Sequence, residues 1–157
     1  MTHKAILLLG SNIDPAENIR QAIKLIREAF PIEGISSTWE TVAIGRVDDP
    51  MFLNIAVAIT TIMDAPTLKE SSLTQIEKKL GRIRTDDNNS PRTIDIDLII
   101  FDDQVMDPGL WAKVYVTIPV SELMPEFCHP ITGMKLEEIA RRLLPGSQAK
   151  IIPDLTF

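Results

Sequence analysis

The apolar positions of this 157-residue chain change period along its length, and each change marks an element. Residues 4–10 form a short apolar run that ends in Gly-Ser-Asn, which reads as a buried strand. Ile19, Ala22, Ile23, Ile26 and Phe30 then recur at helical spacing, so the pattern predicts an amphipathic helix over 15–29. Asp14 is its expected cap, Pro15 suits its first turn, Glu17 stands at capping-box spacing, and Pro31 stops it. Residues 34–43 alternate in the manner of a strand, and 44–50 form a loop punctuated by Gly45 and Pro50. A longer strand is expected over 51–62. It carries Leu53, Ile55, Val57 and Ile59 on one face and Phe52, Asn54, Ala56 and Ala58 on the other.

Asp64 and Pro66 open a second helix with Leu68, Leu73, Ile76 and Leu80 inward and Gly81 at its end. Residues 82–92 are polar and loop-like, and a strong strand follows at 93–101. The last third predicts a strand at 113–118, a short helix near 119–124 and a helix at 134–144. The tail, 150–157, fits either a last strand or a docking segment. Strand, helix, strand, strand, helix, strand is the order of a ferredoxin-like α+β sandwich, a mainly antiparallel sheet with two helices on one side. The length fits a single domain over 1–157, and no repeat or linker interrupts it.

Composition narrows the function. With 45% hydrophobic and 24% charged residues the chain reads as a soluble globular protein. No apolar run is long enough to span a bilayer, and the first strand is followed by no cleavage pattern. A net charge of -6 argues against a broad nucleic-acid surface while leaving room for a small cationic site for a phosphorylated ligand. The single cysteine, Cys128, forms no internal disulfide, which suits a reducing cytoplasm. A cytoplasmic protein without membrane or nucleic-acid partners is the expectation.

The chemistry concentrates in GRIRTDDNNSPRTIDIDLII, residues 81–100. In a strand at 93–100, Ile94, Ile96, Leu98 and Ile100 point one way, and Asp95 and Asp97 point the other with Thr93 and Ile99. Two carboxylates roughly 6.5–7 Å apart along a strand repel each other but converge on hard cations. A bare Asp-x-Asp also describes a solvated strand face. Arg82, Arg84 and Arg92 beside it supply guanidinium forks for phosphate oxygens, although simple Asp–Arg pairing is the rival reading. Together these groups suit a magnesium-bound polyphosphate. Phe52 and Asn54 place an aromatic plane beside an amide, which suits a flat heterocycle rich in N–H and C=O groups and equally suits a core Phe with a satisfied Asn. No Walker-type glycine-rich loop is present, which argues against a P-loop kinase.

GSN (10–12), FLNIAVAI (52–59), IEKKLGRIR (76–84) and SPRTIDIDLIIFDD (90–103) together resemble the 6-hydroxymethyl-7,8-dihydropterin pyrophosphokinase family of folate biosynthesis. PRTIDIDLI is the most specific of these segments. The resemblance implies a ferredoxin-like fold. It also implies transfer of the β,γ-pyrophosphate of ATP to a reduced pterin with release of AMP, assisted by two Mg²⁺ ions. By position, Asp95 and Asp97 resemble the metal ligands; Arg82, Arg84 and Arg92 resemble the cationic loop around the phosphates. Glu77 matches a nucleotide-side residue, Asn54 the pterin-binding amide, and Phe52 a position where an aromatic is common. Residues 42–50 and 82–92 correspond to loops that close the site.

The likeness has two gaps. Asn88, Asn89 and Ser90 stand where a basic residue, an aromatic and a glycine usually precede PRT. After the aspartate strand, a Pro-His loop of the family is absent. Aligning IPVSELMP then puts Lys113 at an arginine that serves ATP and Tyr115 at a phenylalanine that serves the pterin. His3 and His129 do not replace the missing histidine, and Trp111 is a candidate replacement for the aromatic. Two readings remain: a working pyrophosphokinase with a trimmed loop, or a non-catalytic nucleotide- or pterin-binding protein on the same scaffold.

Overall fold

The computed structural model describes residues 1–41, 51–82 and 93–157. In chain order its elements are β1 (His3–Ser11), α1 (Pro15–Ala29), β2 (Ile32–Ile35), β3 (Trp39–Thr41), β4 (Phe52–Thr61), α2 (Ala65–Thr67), a π-helical turn (Leu68–Leu73), α3 (Thr74–Lys79), β5 (Asp95–Phe101), β6 (Gln104–Val105), a 3₁₀ turn (Pro108–Trp111), α4 (Val114–Leu123), α5 (Leu136–Leu143), a second 3₁₀ turn (Leu144–Gly146) and β7 (Lys150–Ile151). The strands form one sheet in the order β6-β5-β1-β4-β3-β7, with β2 also pairing β4. All the pairings are antiparallel. The central order, β5-β1-β4-β3, is that of the ferredoxin-like arrangement the sequence predicts.

Alternation along the strands builds two cores. Leu7 and Leu9 of β1, Ile55, Val57 and Ile59 of β4, and Ile94, Ile96 and Leu98 meet Ile19, Ala22, Ile23 and Ile26 of α1, together with Leu68, Leu73 and Ile76. On the opposite face Ile6, Leu8, Ala56, Ile99 and Ile100 meet Val116 and Val120 of α4 and Leu136 of α5. Helices therefore cover both faces, where the sequence pattern predicted two on one side. The second layer was hidden because α4 is buried almost all round: Val116 through Ser121 are buried in succession. Its β-branched sequence reads as a strand at 113–118, yet tertiary burial makes it helix and carries Pro119 inside it.

Other local departures have identifiable causes. The expected strand at 34–43 breaks between β2 and β3. There the Ser36 hydroxyl accepts from Ala56 N at 2.8 Å while Ser36 N donates to Ala56 O at 2.9 Å. Asp14 takes a left-handed φ of 39° and its side chain caps nothing. Glu17 accepts from Arg20 at 2.7 Å and Gln21 at 2.9 Å instead of reaching back to the helix entry. That entry is closed by Asn18 Nδ2, which donates to Ile13 O at 2.6 Å. The second helix opens as expected, with the Asp64 carboxylate accepting from Thr67 N at 2.9 Å. It closes at Gly81, whose φ of 82° favours glycine. Its middle turn is π rather than α. Of the two readings of the tail, the last strand is the one present: β7 pairs with β3, and Leu155 and Phe157 pack on the α1-side core.

A bulge in β5 alters one face assignment. Ile6 pairs Ile100 but Leu7 pairs Leu98, so Ile99 is the extra residue. Ile100 therefore turns to the α4 side with Ile99, rather than to the side of Leu98. The strand then reverses into β6 through Asp102 and Asp103, both at positive φ (47° and 65°), the geometry of a two-residue hairpin.

The hairpin is tied to β1 by His3 Nδ1 and Asp102 Oδ2 at 2.5 Å and by Lys4 N donating to Asp102 Oδ1 at 2.9 Å. The bond to His3, and next the bond from the Lys4 amide, hold the Asp102 carboxyl below its ordinary value. A depressed folded value means stability that is present above the unfolded pKa and is lost as pH falls through the folded one. Asp102→Asn is expected to lower the urea midpoint at pH 7 and to flatten the acid limb below about pH 4. Equilibrium unfolding from pH 7 to pH 2.5 measures both effects.

Candidate active site

β1 lies between β4 and β5, and its register brings the predicted side chains into line. Gly10 pairs with Asn54 on one side and Asp95 on the other. Trp39 pairs with Asn54 from the next strand. One cross-strand row therefore runs Trp39, Asn54, Gly10, Asp95. One pleat away the row is Ala56, Leu8, Asp97. Asp95 and Asp97 are half-buried and alternate with Ile94, Ile96 and Leu98, which are buried in the α1-side core. The carboxylates share the sheet face whose other half is covered by α4 and α5.

Asn54 is only 3% exposed and donates through Nδ2 to Thr41 Oγ1 at 2.6 Å. Phe52 is half-buried at the start of β4 and pairs with Thr41. An aromatic ring and an oriented amide on β4 and two carboxylates on β5 thus lie on one sheet face, on the two strands that flank β1. Across two strand spacings, Asn54 and Asp95 are separated by roughly 9.5–10 Å of sheet.

Two buried polar groups fix β5 in this position. Glu77, 1% exposed on α3, accepts from Ile96 N at 2.8 Å. Ile96 is the residue between the two aspartates, so this carboxylate fastens their backbone to the helix layer. Ser11, fully buried, donates to Thr93 O at 2.5 Å and to Ile13 O at 3.1 Å, pinning the entry to β5 beside the end of β1.

The remaining predicted residues are distributed as follows. Arg82 directly follows Gly81, and its backbone N donates to Glu77 O at 3.0 Å. Arg84, Arg92 and the Asn88–Ser90 departure lie outside the described residues, as do the two expected loops apart from Arg82. Lys113 is exposed at the start of α4, with its ammonium 6.0 Å from the Tyr115 ring centroid. Tyr115 packs part-buried against the α4-side core. Trp111 does not stand free to serve as a replacement aromatic: it stacks on Phe127 at 5.8 Å and meets His129 at 4.8 Å. His129 closes a turn, accepting at Nδ1 from Ile131 N and Thr132 N. Among the described residues no group of three or more His, Cys, Asp and Glu is arranged to hold a metal ion. A pair of carboxylates is nevertheless a donor set that suits Mg²⁺, which keeps water and phosphate oxygens as its other ligands.

Sequence reasoning uses Gly10 and Ser11 only as part of the GSN segment and assigns no individual role to Gly10, Ser11 or Thr41. The signal was the Gly-Ser-Asn that ends the first buried strand, since a glycine in a strand interior marks a close approach.

The chain matches the family model for 7,8-dihydro-6-hydroxymethylpterin-pyrophosphokinase (HPPK) over residues 6–125. It belongs to the HPPK family. It is 34% identical over 149 residues to the Bacillus subtilis 2-amino-4-hydroxy-6-hydroxymethyldihydropteridine pyrophosphokinase, covering 88% of each chain. Against the Pseudomonas aeruginosa protein of the same name it is 31% identical over 151 residues, covering 88% of this chain and 91% of the other. It also matches the Schizosaccharomyces pombe folic acid synthesis protein fol1 at 32% identity, but spans only 20% of that longer protein. The Plasmodium falciparum HPPK-DHPS crystal structure superposes with a TM-score of 0.72 over 90% of this chain and 41% of that one. At 13% identity that likeness shows the fold alone. HPPK proteins are ATP-dependent pyrophosphokinases of folate biosynthesis. Among the described residues no helix of this member is long and apolar enough to cross a membrane.

Replacing Glu77 with Ala leaves the Ile96 amide without its carboxylate acceptor and is expected to cost about 1–3 kcal/mol. Glu77→Gln keeps a carbonyl acceptor and should recover most of that loss. Hydrogen exchange at the Ile96 amide, fast in the alanine variant and slow in the glutamine variant, checks the assignment.

Proposed function

We propose that this chain transfers pyrophosphate from ATP to 6-hydroxymethyl-7,8-dihydropterin in the cytoplasm, with two Mg²⁺ ions held by Asp95 and Asp97. The observation that carries the reading is the row in which Asn54 and Asp95 flank Gly10. A pterin hydrogen-bonded at Asn54 and covered by Phe52 directs its hydroxymethyl group across β1 toward the carboxylates. The roughly 9.5–10 Å between the two positions accommodates a bicyclic ring and one carbon. Tyr115 contributes a second aromatic surface for the pterin, and Lys113 a cation for ATP.

Phosphoryl-type transfer is governed by positioning and charge stabilisation. The pterin hydroxyl oxygen forms a bond to the β-phosphorus of ATP, the bond from that phosphorus to the α,β-bridging oxygen breaks, and AMP departs with the bridging oxygen. The hydroxyl proton is released to solvent. The metal ions would neutralise phosphate charge while Asp95 and Asp97 hold them. Arg82, Arg84 and Arg92 take the charge developing on the transferred group, and Glu77 acts on the nucleotide side by keeping the aspartate strand in register. Lys113 supplies a point charge where a forked guanidinium would bind two oxygens, so it stabilises less.

The alternative, a protein that binds nucleotide or pterin without turnover, draws on the absent histidine loop. Identities of 31–34% along most of the chain with proteins named as pyrophosphokinases support the catalytic reading. Mixing the protein with Mg²⁺, ATP and 6-hydroxymethyl-7,8-dihydropterin decides between them. AMP is expected only when the pterin is present, and Asp97→Ala should lower its rate at least a hundredfold. Nucleotide binding without AMP overturns the catalytic reading in favour of the binding one.

A further inference from the structure

We propose that Gly10 is a positioning residue for the reaction, kept without a side chain so that the Asn54 amide can lie across β1 in its pterin-binding orientation. The inference rests on the pyrophosphokinase reading above. Gly10 sits in the interior of a sheet strand, paired on both sides, where glycine weakens the strand and packs nothing. Its φ is not in the left-handed region, which among the described glycines is occupied by Gly81 and Gly133, so backbone conformation does not require it. The requirement comes from one neighbour. A Cβ built on Gly10 would stand 2.9 Å from Asn54 Oδ1, closer than carbon and oxygen tolerate, while the next atoms are 4.0 Å away.

Asn54 has little freedom to withdraw. Its Nδ2 is held by Thr41 at 2.6 Å and its side chain is 3% exposed. Thr41 itself is 6% exposed. The amide is therefore clamped from one side by the Thr41 hydroxyl and freed on the other by the missing Cβ. The carbonyl oxygen lies over the strand that separates Asn54 from Asp95. A methyl group at position 10 would push that oxygen off the line joining the amide to the carboxylates and strain the bond to Thr41. The effect should fall on the heterocycle and spare the triphosphate, because the β5 backbone that carries Asp95 and Asp97 is held at Ile96 N by Glu77 and at Thr93 O by Ser11.

The test compares binding of 6-hydroxymethyl-7,8-dihydropterin and of a non-hydrolysable ATP analogue, both with Mg²⁺, by calorimetry on the whole chain. Gly10→Ala is expected to weaken pterin binding tenfold or more while changing the affinity for the ATP analogue less than twofold. The side-chain amide resonances of Asn54 should shift in the unliganded variant. Because Gly10→Ala also destabilises the strand, the double variant Gly10→Ala/Asn54→Ala is the control. It should regain melting temperature, and within the Asn54→Ala background Gly10→Ala should cost no further pterin affinity. Equal weakening of both ligands, or an unchanged Asn54 resonance, overturns the proposal. If the wild-type chain binds the ATP analogue but no pterin, the pyrophosphokinase reading falls and this role falls with it. If the wild type binds pterin and Gly10→Ala binds it equally well, only the role of Gly10 is lost.

Discussion

The position of β1 between β4 and β5 is the constraint on which the rest of the molecule depends. Asn54 and the Asp95–Asp97 pair come from strands that never touch, and only β1 relates them. Its register is fixed by burial: Leu7 and Leu9 are fully buried against α1, while Ile6 and Leu8 are buried against α4. A slip of one residue in β5 would drive Asp95 and Asp97 into the α1-side core and turn Ile96 and Leu98 out of it. A strand with both faces specified in this way has one pairing available. The site is thus a by-product of the core's alternation.

The same burial explains how two carboxylates stay side by side. At roughly 7 Å and an effective dielectric constant between 20 and 80, their mutual repulsion is about 0.6–2.4 kcal/mol. Burying Ile94, Ile96 and Leu98 contributes about 1.5–3 kcal/mol for each side chain. The apolar half of the strand therefore outweighs the repulsion of its polar half. Glu77 and Ser11 add hydrogen bonds to the backbone on either side of Asp95. The backbone that carries the acidic pair is thus held in place by the packing of its apolar neighbours and by these two hydrogen bonds.

The fold was legible wherever one face of an element is polar. Helix α1 matches the expected 15–29 because Ile19, Ala22, Ile23 and Ile26 contrast with a charged outer face. β4 and β5 were legible from alternation of period two. Legibility failed where a helix is buried on both sides or where a side chain replaces a backbone partner; β1, buried on both faces, was still legible as a short apolar run. α4, enclosed between the sheet and α5, offers no polar stripe and reads as a strand. The Ser36 hydroxyl breaks the 34–43 strand, and the bulge at Ile99 reverses the face of Ile100 without any change in composition. Of the candidate site, Asp95, Asp97, Phe52 and Asn54 were legible as residue types with a chemistry. Gly10, Ser11 and Thr41 were not, because their contribution is to leave a space, pin a carbonyl and orient an amide. Each of these depends on a partner distant in sequence.

The short connection from β6 to α4 shows which part of the site's work the fold has kept. Asp107 accepts from Gly109 N at 2.9 Å, Leu110 is fully buried, and Thr117 donates to Leu110 O at 2.6 Å, so the 3₁₀ turn is bound tightly to the helix that follows. Trp111, stacked on Phe127 and tilted against His129, belongs to that structural unit. The trimming of this loop that the resemblance implies would remove groups that stabilise charge, each worth on the order of 2–4 kcal/mol. It leaves untouched the row that runs from Asn54 across Gly10 to Asp95. Alignment of two bound reactants can itself supply about 7–11 kcal/mol of a barrier. On the pyrophosphokinase reading, the larger contribution therefore resides in the sheet register, which the same alternation that builds both cores holds in place.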